Sequence, residues 1–317
     1  MSEPTVPPLA PTEPLDPQLT SIQPGGGVVM SLELAWGHVR RAWLKTFRKG
    51  YVARMAERRK GHNADYPHEI LDPRDLKFYR NREGYSWDPA DDPFTWRDRL
   101  PFARVGLAEL WILSSIFFLI AGVAGIWHWS LALVPAFCGL CIIWFFRNPR
   151  RIVPPGDNLI VAPADGTVVE IAELDDDPFV TGPAIRIGIF LSVFNVHINR
   201  TPCAARVVGL TYRRGKFLNA LLAASARENE QMAIRLQQTA APWRRFVVRQ
   251  IAGAIARRIV CWARPGQEFP AGEQFGMIKL GSRTELILPR EAGLQIRCRI
   301  GEKIRAGATV LAAYESQ

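Results

Sequence analysis

From Leu107 to Phe146 the chain runs LAELWILSSIFFLIAGVAGIWHWSLALVPAFCGLCIIWFF, with one acid, Glu109, in an otherwise uncharged stretch. This run is too long for one buried helix, and it divides at GIWHWS into two apolar halves of about the 20 residues that a bilayer crossing needs. Trp127 and Trp129 fall where an interface would lie. Arg97, Arg99 and Arg104 precede the pair, Arg147, Arg150 and Arg151 follow it, and the turn between has no Lys or Arg. Positive flanks favour the cytoplasm, so this spacing predicts a membrane hairpin over residues 105–146 with both ends on that side. A soluble helical hairpin buried in a core is the competing reading. A signal peptide does not fit an apolar run that starts beyond residue 100.

The 317 residues exceed one average domain, and a hydrophobic content of 48% suffices for an ordinary core. A net charge of +10 asks for an anionic partner, either nucleic acid or the anionic face of a membrane, and the apolar run chooses the membrane. Cys138, Cys141, Cys203, Cys261 and Cys298 are odd in number and irregular in spacing, which argues against a disulfide framework and fits a reducing compartment. Cys138 and Cys141 form a C-x-x-C inside the second apolar half, where they read as small helix residues and not as a redox pair.

Residues 1–27 are rich in Pro and carry a Gly25-Gly26-Gly27 run, without the apolar periodicity of a core, and are expected to be a disordered tail. Residues 28–104 form a basic extension of unassigned role. Within it Leu34, Val39, Trp43 and Phe47 recur near helical spacing among many Arg and Lys, which fits a basic amphipathic helix on anionic lipid or a solvated helix packed on its own protein. After the apolar run, from residue 147 to 317, short apolar segments alternate with Gly and Pro turns, as in LIVAPADGTVVEIAEL, AIRIGIFLSVFNVHINRT and TELILP. This texture predicts a mainly β domain with few helices, an α+β chain overall. FLNALLAASARENEQMAIRLQ has helix formers and no breaker, so a single helix is expected there.

The β domain holds one histidine, His197, and four serines, Ser192, Ser225, Ser282 and Ser316. Asp165 lies between Pro163–Ala164 and Gly166, a turn signature; His197 closes a strongly apolar strand; Ser282 follows Gly281, which permits a sharp turn. Each alone fits an ordinary turn or rim residue. Together they supply the Asp, His and Ser that a base-activated nucleophile requires. Ser282 has no G-x-S-x-G elbow, which disfavours an α/β-hydrolase. Its hydroxyl is instead close to the carbonyl of Gly281, so an activated Ser282 can attack its own backbone and turn the amide into an ester.

In order, FFRNPRR, VAPADGTVV, FNVHINRTP, GKFLNA, ARENE, QIAGAIARRIV and FGMIKLGSRTELILP resemble phosphatidylserine decarboxylases of the shorter bacterial and archaeal branch, over about residues 105–317. The resemblance implies a self-cleaving proenzyme. Ser282 becomes a pyruvoyl group that forms a Schiff base with the substrate amine, Gly281 ends the large chain, and His197 and Asp165 are the base and its orienter. It also implies phosphatidylserine as membrane substrate, phosphatidylethanolamine as product, and a large and a small chain that stay together. Arg200, Arg213, Arg214 and Lys216 are candidate partners for the substrate phosphate. The longer branch has a further histidine where this chain has Phe194, so no role passes to that position.

VAPADGTVVEI and IGEKIRAGATVLAAY also resemble the two halves of a biotinyl or lipoyl hammerhead, which points to a hammerhead-like or barrel-like β domain and offers a carrier module as alternative function, with Lys279 as the modified lysine. A membrane-anchored binding protein without catalysis is a third reading; nucleic acid is not expected as partner, because the basic residues lack the aromatic interleaving of a base-stacking platform. No metal site is expected, a homo-oligomer is left open, and the expected location is the bacterial cytoplasmic membrane with the catalytic domain on the cytoplasmic face.

Overall fold

The computed structural model describes residues 9–16, 19, 21–57, 70–78, 92–222, 224–254, 258–279 and 281–315. They fall into two compact units, one of residues 17–149 and one of residues 1–16 with 150–317.

The first unit is helical. Helices α1 (Val28–Phe47), α2 (Lys49–Glu57) and α3 (Pro73–Phe78) precede α4 (Leu107–Trp127) and α5 (Leu133–Phe145). Helix α4 has 21 residues and, with the turn before it, forms an apolar segment from Arg104 to Trp127 that is long and apolar enough to cross a membrane. At 1.5 Å per residue a helix of that length spans about 31 Å, the thickness of a bilayer core. Most of its apolar side chains, Trp111, Ile116, Leu119 and Ile126 among them, are uncovered. Helix α5 has 13 residues, about 20 Å, which is short of a crossing on its own. It packs back on α4 through Gly139, where an added Cβ would meet the Phe118 ring at 3.0 Å.

The second unit is built of antiparallel strands. They are β1 (Leu159–Val161), β2 (Gly166–Asp177), β3 (Gly182–Leu191), β4 (Ile198–Arg200), β5 (Ala205–Arg213), β6 (Gln231–Gln238), β7 (Arg245–Ile251), β8 (Arg258–Cys261), β9 (Glu268–Phe269), β10 (Gln274–Lys279), β11 (Ser282–Pro289), β12 (Leu294–Ile296), β13 (Lys303–Ile304) and β14 (Val310–Tyr314), with one short helix, α6 (Ser225–Glu228). Eight strands form a sheet in the order β13-β2-β3-β11-β7-β6-β5-β9; β4-β10-β8 and β1-β14-β12 form two smaller ones. Strand β11 is buried along its whole length and has a partner on each side, β3 and β7. Its run TELILP and the AIRIGIFL of β3 lack strict alternation for that reason.

The two hammerhead-like segments interlock: β1 pairs with β14 and β2 with β13, and Ala162 and Gly307 tie the turns together by a backbone hydrogen bond of 2.8 Å. A closed barrel does not form among the described residues, since the large sheet ends in two-residue strands, β9 and β13. The single helix expected over residues 217–237 is also absent. Only α6 is helical, and the residues after it form β6 between β5 and β7, where ladder bonds and burial on both sides outweigh helix propensity. Part of the tail expected to be disordered is seated. The Glu13 N–H donates to the Val208 carbonyl at 2.8 Å, the Ala10 N–H to Gln237 Oε1 at 2.8 Å, and Glu13 pairs with Arg235 at 2.7 Å. A main-chain bond to β5 and side chains of β6 hold this segment, which carries no hydrophobic period to announce it. Residues 1–8 lie outside the described residues.

Candidate active site

Strand β10 belongs to a small sheet and β11 to the large one, and the Gly281–Ser282 bond lies where the chain passes between them. The passage needs a tight turn, and Gly281 supplies it at φ +61, a left-handed conformation that costs a side-chain-bearing residue roughly 1–2 kcal/mol. Strand β4 lies beside β10, and Ile278 N–H donates to the His197 carbonyl at 3.1 Å, so β10 fixes the backbone of the histidine at the turn that follows.

His197 is fully buried, and its ring is held at both nitrogens. The Gly281 N–H donates to Nε2 at 3.1 Å, and Nδ1 lies 2.9 Å from the Asn195 carbonyl. A nitrogen that accepts cannot carry the proton, so the network assigns the proton to Nδ1 and the lone pair to Nε2, against the peptide that precedes the Gly-Ser bond. Ser282 is 0% exposed, and its hydroxyl has no hydrogen-bond partner among the described residues. Leaving a buried hydroxyl unpaired costs about 1–3 kcal/mol, a strain that a structural residue has no reason to keep.

The Gly281 carbonyl is received on its far side by Gly253. A Cβ built at Gly253 would come within 2.2 Å of the Gly281 oxygen and 3.3 Å of the Ala220 side chain. Asn229, also fully buried, fixes that wall: its Nδ2 donates to the carbonyls of Ala252 at 2.7 Å and Leu218 at 2.8 Å, and its Oδ1 accepts from the Leu218 N–H at 2.8 Å.

Asp165 lies on the turn between β1 and β2, with Oδ1 accepting the Ala306 N–H at 2.8 Å and Oδ2 paired with Arg151 at 2.7 Å. The same turn meets β4, because the Arg200 N–H donates to the Pro163 carbonyl at 2.9 Å. One step along β4, Asn199 donates to Thr284 Oγ1 at 3.0 Å and accepts from Gln250 at 2.9 Å, a buried amide relay that joins β4 to β11 and β7.

Sequence reasoning named Asp165, His197, Gly281 and Ser282 and missed Asn195, Asn199, Asn229 and Gly253. Asn199 had a signal: it stands two residues after His197 in the motif FNVHINRTP. Gly253 and Asn229 had none beyond composition. Of the candidate phosphate partners, Arg200 is buried and donates to the Gly272 carbonyl at 2.9 Å, with burial first and the neighbouring Arg151 second pulling its pKa down. Lys216 is exposed and paired with Glu228 at 2.8 Å, and Arg213 donates to the Arg227 carbonyl. Arg214 is exposed, and its charge reaches the Tyr212–Glu230 pair, where burial raises both groups. Lys279, which a carrier would have to present for modification, is 5% exposed.

A family model described as phosphatidylserine decarboxylase matches residues 138–312. The phosphatidylserine decarboxylase proenzyme of Rhodopirellula baltica is 52% identical over 240 residues, which is 76% of this chain and 99% of that protein. That of Syntrophus aciditrophicus is 39% identical over 224 residues, 70% of this chain and 99% of that protein. That of Carboxydothermus hydrogenoformans is 41% identical over 172 residues, 54% of this chain and 79% of that protein. The family model spans more than half of the chain and the R. baltica protein aligns over nearly its whole length, so the chain belongs to the phosphatidylserine decarboxylase family.

Proposed function

We propose that the chain decarboxylates phosphatidylserine to phosphatidylethanolamine, and that it first makes its own catalytic carbonyl by breaking the Gly281–Ser282 bond. One observation carries this: a fully buried serine hydroxyl without a partner follows a left-handed glycine whose N–H is held on the lone pair of a buried histidine.

The steps balance with water as the only co-reactant. His197 Nε2 exchanges its bond from the Gly281 N–H to the Ser282 hydroxyl, one residue on, and takes that proton as Oγ attacks the Gly281 carbonyl carbon. The C–N bond breaks, the freed amine takes the proton, and an ester remains. Removal of the Ser282 α-proton then expels the Gly281 carboxylate, and water hydrolyses the resulting enamine to a ketone with loss of ammonia. Gly253 leaves room for the Gly281 carbonyl throughout, and Asn195 holds the ring of His197 in one orientation. Asp165 is assigned to support of His197, on the strength of its turn bonding to β4.

The residues fit a pyruvoyl group at position 282, since the site is buried and its serine has no other use. That group, once made, supplies a carbonyl that takes the substrate's amine and holds the electron pair left by CO2. His197 then holds the proton that replaces the carboxyl group, and the wall from Leu218 to Ala220 and Gly253 keeps water from the reacting atoms. Lys216 and Arg213 are assigned to the lipid phosphate, which would replace their exposed protein contacts. Helix α4, with α5 packed against it, anchors the chain in the cytoplasmic membrane, with residues 147–317 on the cytoplasmic side.

Denaturing electrophoresis with mass analysis tests the proposal. Wild type gives a large chain ending at Gly281 and a small chain starting with pyruvoyl, and it releases CO2 from phosphatidylserine. Ser282→Ala stays whole and is inactive. An active, uncut wild-type chain overturns it.

A further inference from the structure

We infer that helix α1 is a second membrane contact, lying along the surface of an anionic bilayer with Leu32, Trp36, Val39, Trp43 and Phe47 turned into it. This rests on the membrane reading of α4.

One side of α1 is taken up by the protein itself. Arg40 pairs with Asp72 at 2.7 Å, Lys77 with Glu33 at 2.6 Å, and Arg41 with Asp75. Leu44 joins Met55, Ile70, Leu71 and Phe94 in a buried cluster. At 3.6 residues per turn the five apolar residues fall within an arc of about 80°, whose centre lies roughly 80–100° around the helix from Glu33 and Leu44. They are 48–69% exposed, a continuous stripe with two tryptophans that nothing among the described residues covers.

The chemistry around the stripe selects the occupant. Over residues 28–57 six Lys or Arg stand against Glu33 and Glu57, and Lys45, Arg48, Lys49 and Arg54 are exposed. Two copies of so basic a helix repel one another, whereas anionic headgroups attract it while tryptophan and phenylalanine settle at the headgroup boundary. Placement agrees. The cluster under α1 includes Phe94, and Asp92 pairs with Arg104 at 2.6 Å, where the apolar segment Arg104–Trp127 begins. Helix α1 is thus fastened to the stretch of chain that leads into the bilayer, at its arginine-bearing end. The matching family model begins at residue 138, so this contact is an addition to the matched region.

The test uses full-length protein in vesicles of phosphatidylcholine and phosphatidylglycerol that contain radiolabelled phospholipid. The photoreactive residue p-benzoylphenylalanine replaces Trp43 in one variant and Ile116 of α4 in another. Both positions are exposed, so the fold tolerates the aromatic probe, and decarboxylation by the same samples reports on it. The expected result is a lipid adduct at position 43 whose yield falls several-fold when phosphatidylglycerol is left out. No adduct at 43, an adduct to a second protein chain, or a yield indifferent to phosphatidylglycerol overturns the inference. The probe at 116 shows separately whether the membrane reading of α4 falls with it, and decarboxylation by the unsubstituted protein bears on the proposed reaction alone.

Discussion

Gly253 sets a limit on what the proposed cleavage at Gly281–Ser282 tolerates. A methyl group there would sit 2.2 Å from the Gly281 oxygen, so either the carbonyl or the wall behind it must move. Misplacing a reacting group by about 1 Å is enough to cost roughly 100-fold in rate. Gly253→Ala is therefore expected to slow precursor cleavage by about 10–100-fold while leaving the uncut precursor folded, as followed by electrophoresis against time and by circular dichroism. Cleavage at the wild-type rate would show that the carbonyl does not need this seat. Sequence patterns could not reveal Gly253, because a glycine inside QIAGAIARRIV is indistinguishable from a turn glycine until the strand facing it is known. Ser282 and His197 were legible for the opposite reason. A lone histidine and few serines in a long β domain leave chemistry little choice, and the Gly-Ser step separates two strand-like runs.

Along the strands, a ladder of charges crosses the large sheet next to the site. Glu170 of β2 meets Arg186 of β3 at 2.6 Å and also Arg283 of β11; Arg283 meets Glu285 at 3.0 Å, and Arg249 of β7 meets Glu285 at 3.0 Å. Gly188 of β3 leaves the room for the Arg283 guanidinium, which an added Cβ would approach to 2.6 Å. Burial raises the Glu170 carboxyl, but hydrogen bonds and charge from Arg186 and Arg283 outweigh it and hold the group below its ordinary 4.5. A depressed carboxyl stabilises the fold above its unfolded value and loses that contribution as pH falls through its folded value. Glu170→Gln is thus expected to melt below wild type at pH 7, by no more than about 1 kcal/mol because the pair is part-exposed, and the gap should close below pH 4.5. A gap of constant size from neutral to acid pH would assign the effect to packing. At this scale the apolar strands and α4 could be read from periodicity and length alone. Strand β6 could not, since MAIRLQ favours a helix in isolation and becomes a strand only because β5 and β7 flank it.

For the molecule as a whole, the fold gives the two pieces of the proposed cleavage a reason to stay together. Residues 282–317 carry β11, held between β3 and β7, and β14, held against β1. Cys203, Cys261 and Cys298 are buried and form no disulfide among the described residues, and burial pushes the Cys298 thiol up to about 11, which keeps it inert. The two pieces are accordingly expected to co-elute in gel filtration with or without reductant and to part only in denaturant; separation by reductant alone would contradict strand pairing as the bond between them. Order along the chain hid this architecture, because the first and last segments of the β unit meet across more than a hundred residues. The passage from β10 to β11 has one more effect. The ladders of β10 run to β4 and β8 and those of β11 to β3 and β7, so scission between residues 281 and 282 falls between two ladders and leaves the pairs of β11 from Arg283 onward in place. Maturation by the proposed route touches the pairing of β11 at its first residue alone, so the protein can consume one of its own peptide links while the rest of the strand stays in the scaffold that must then hold the new terminus still.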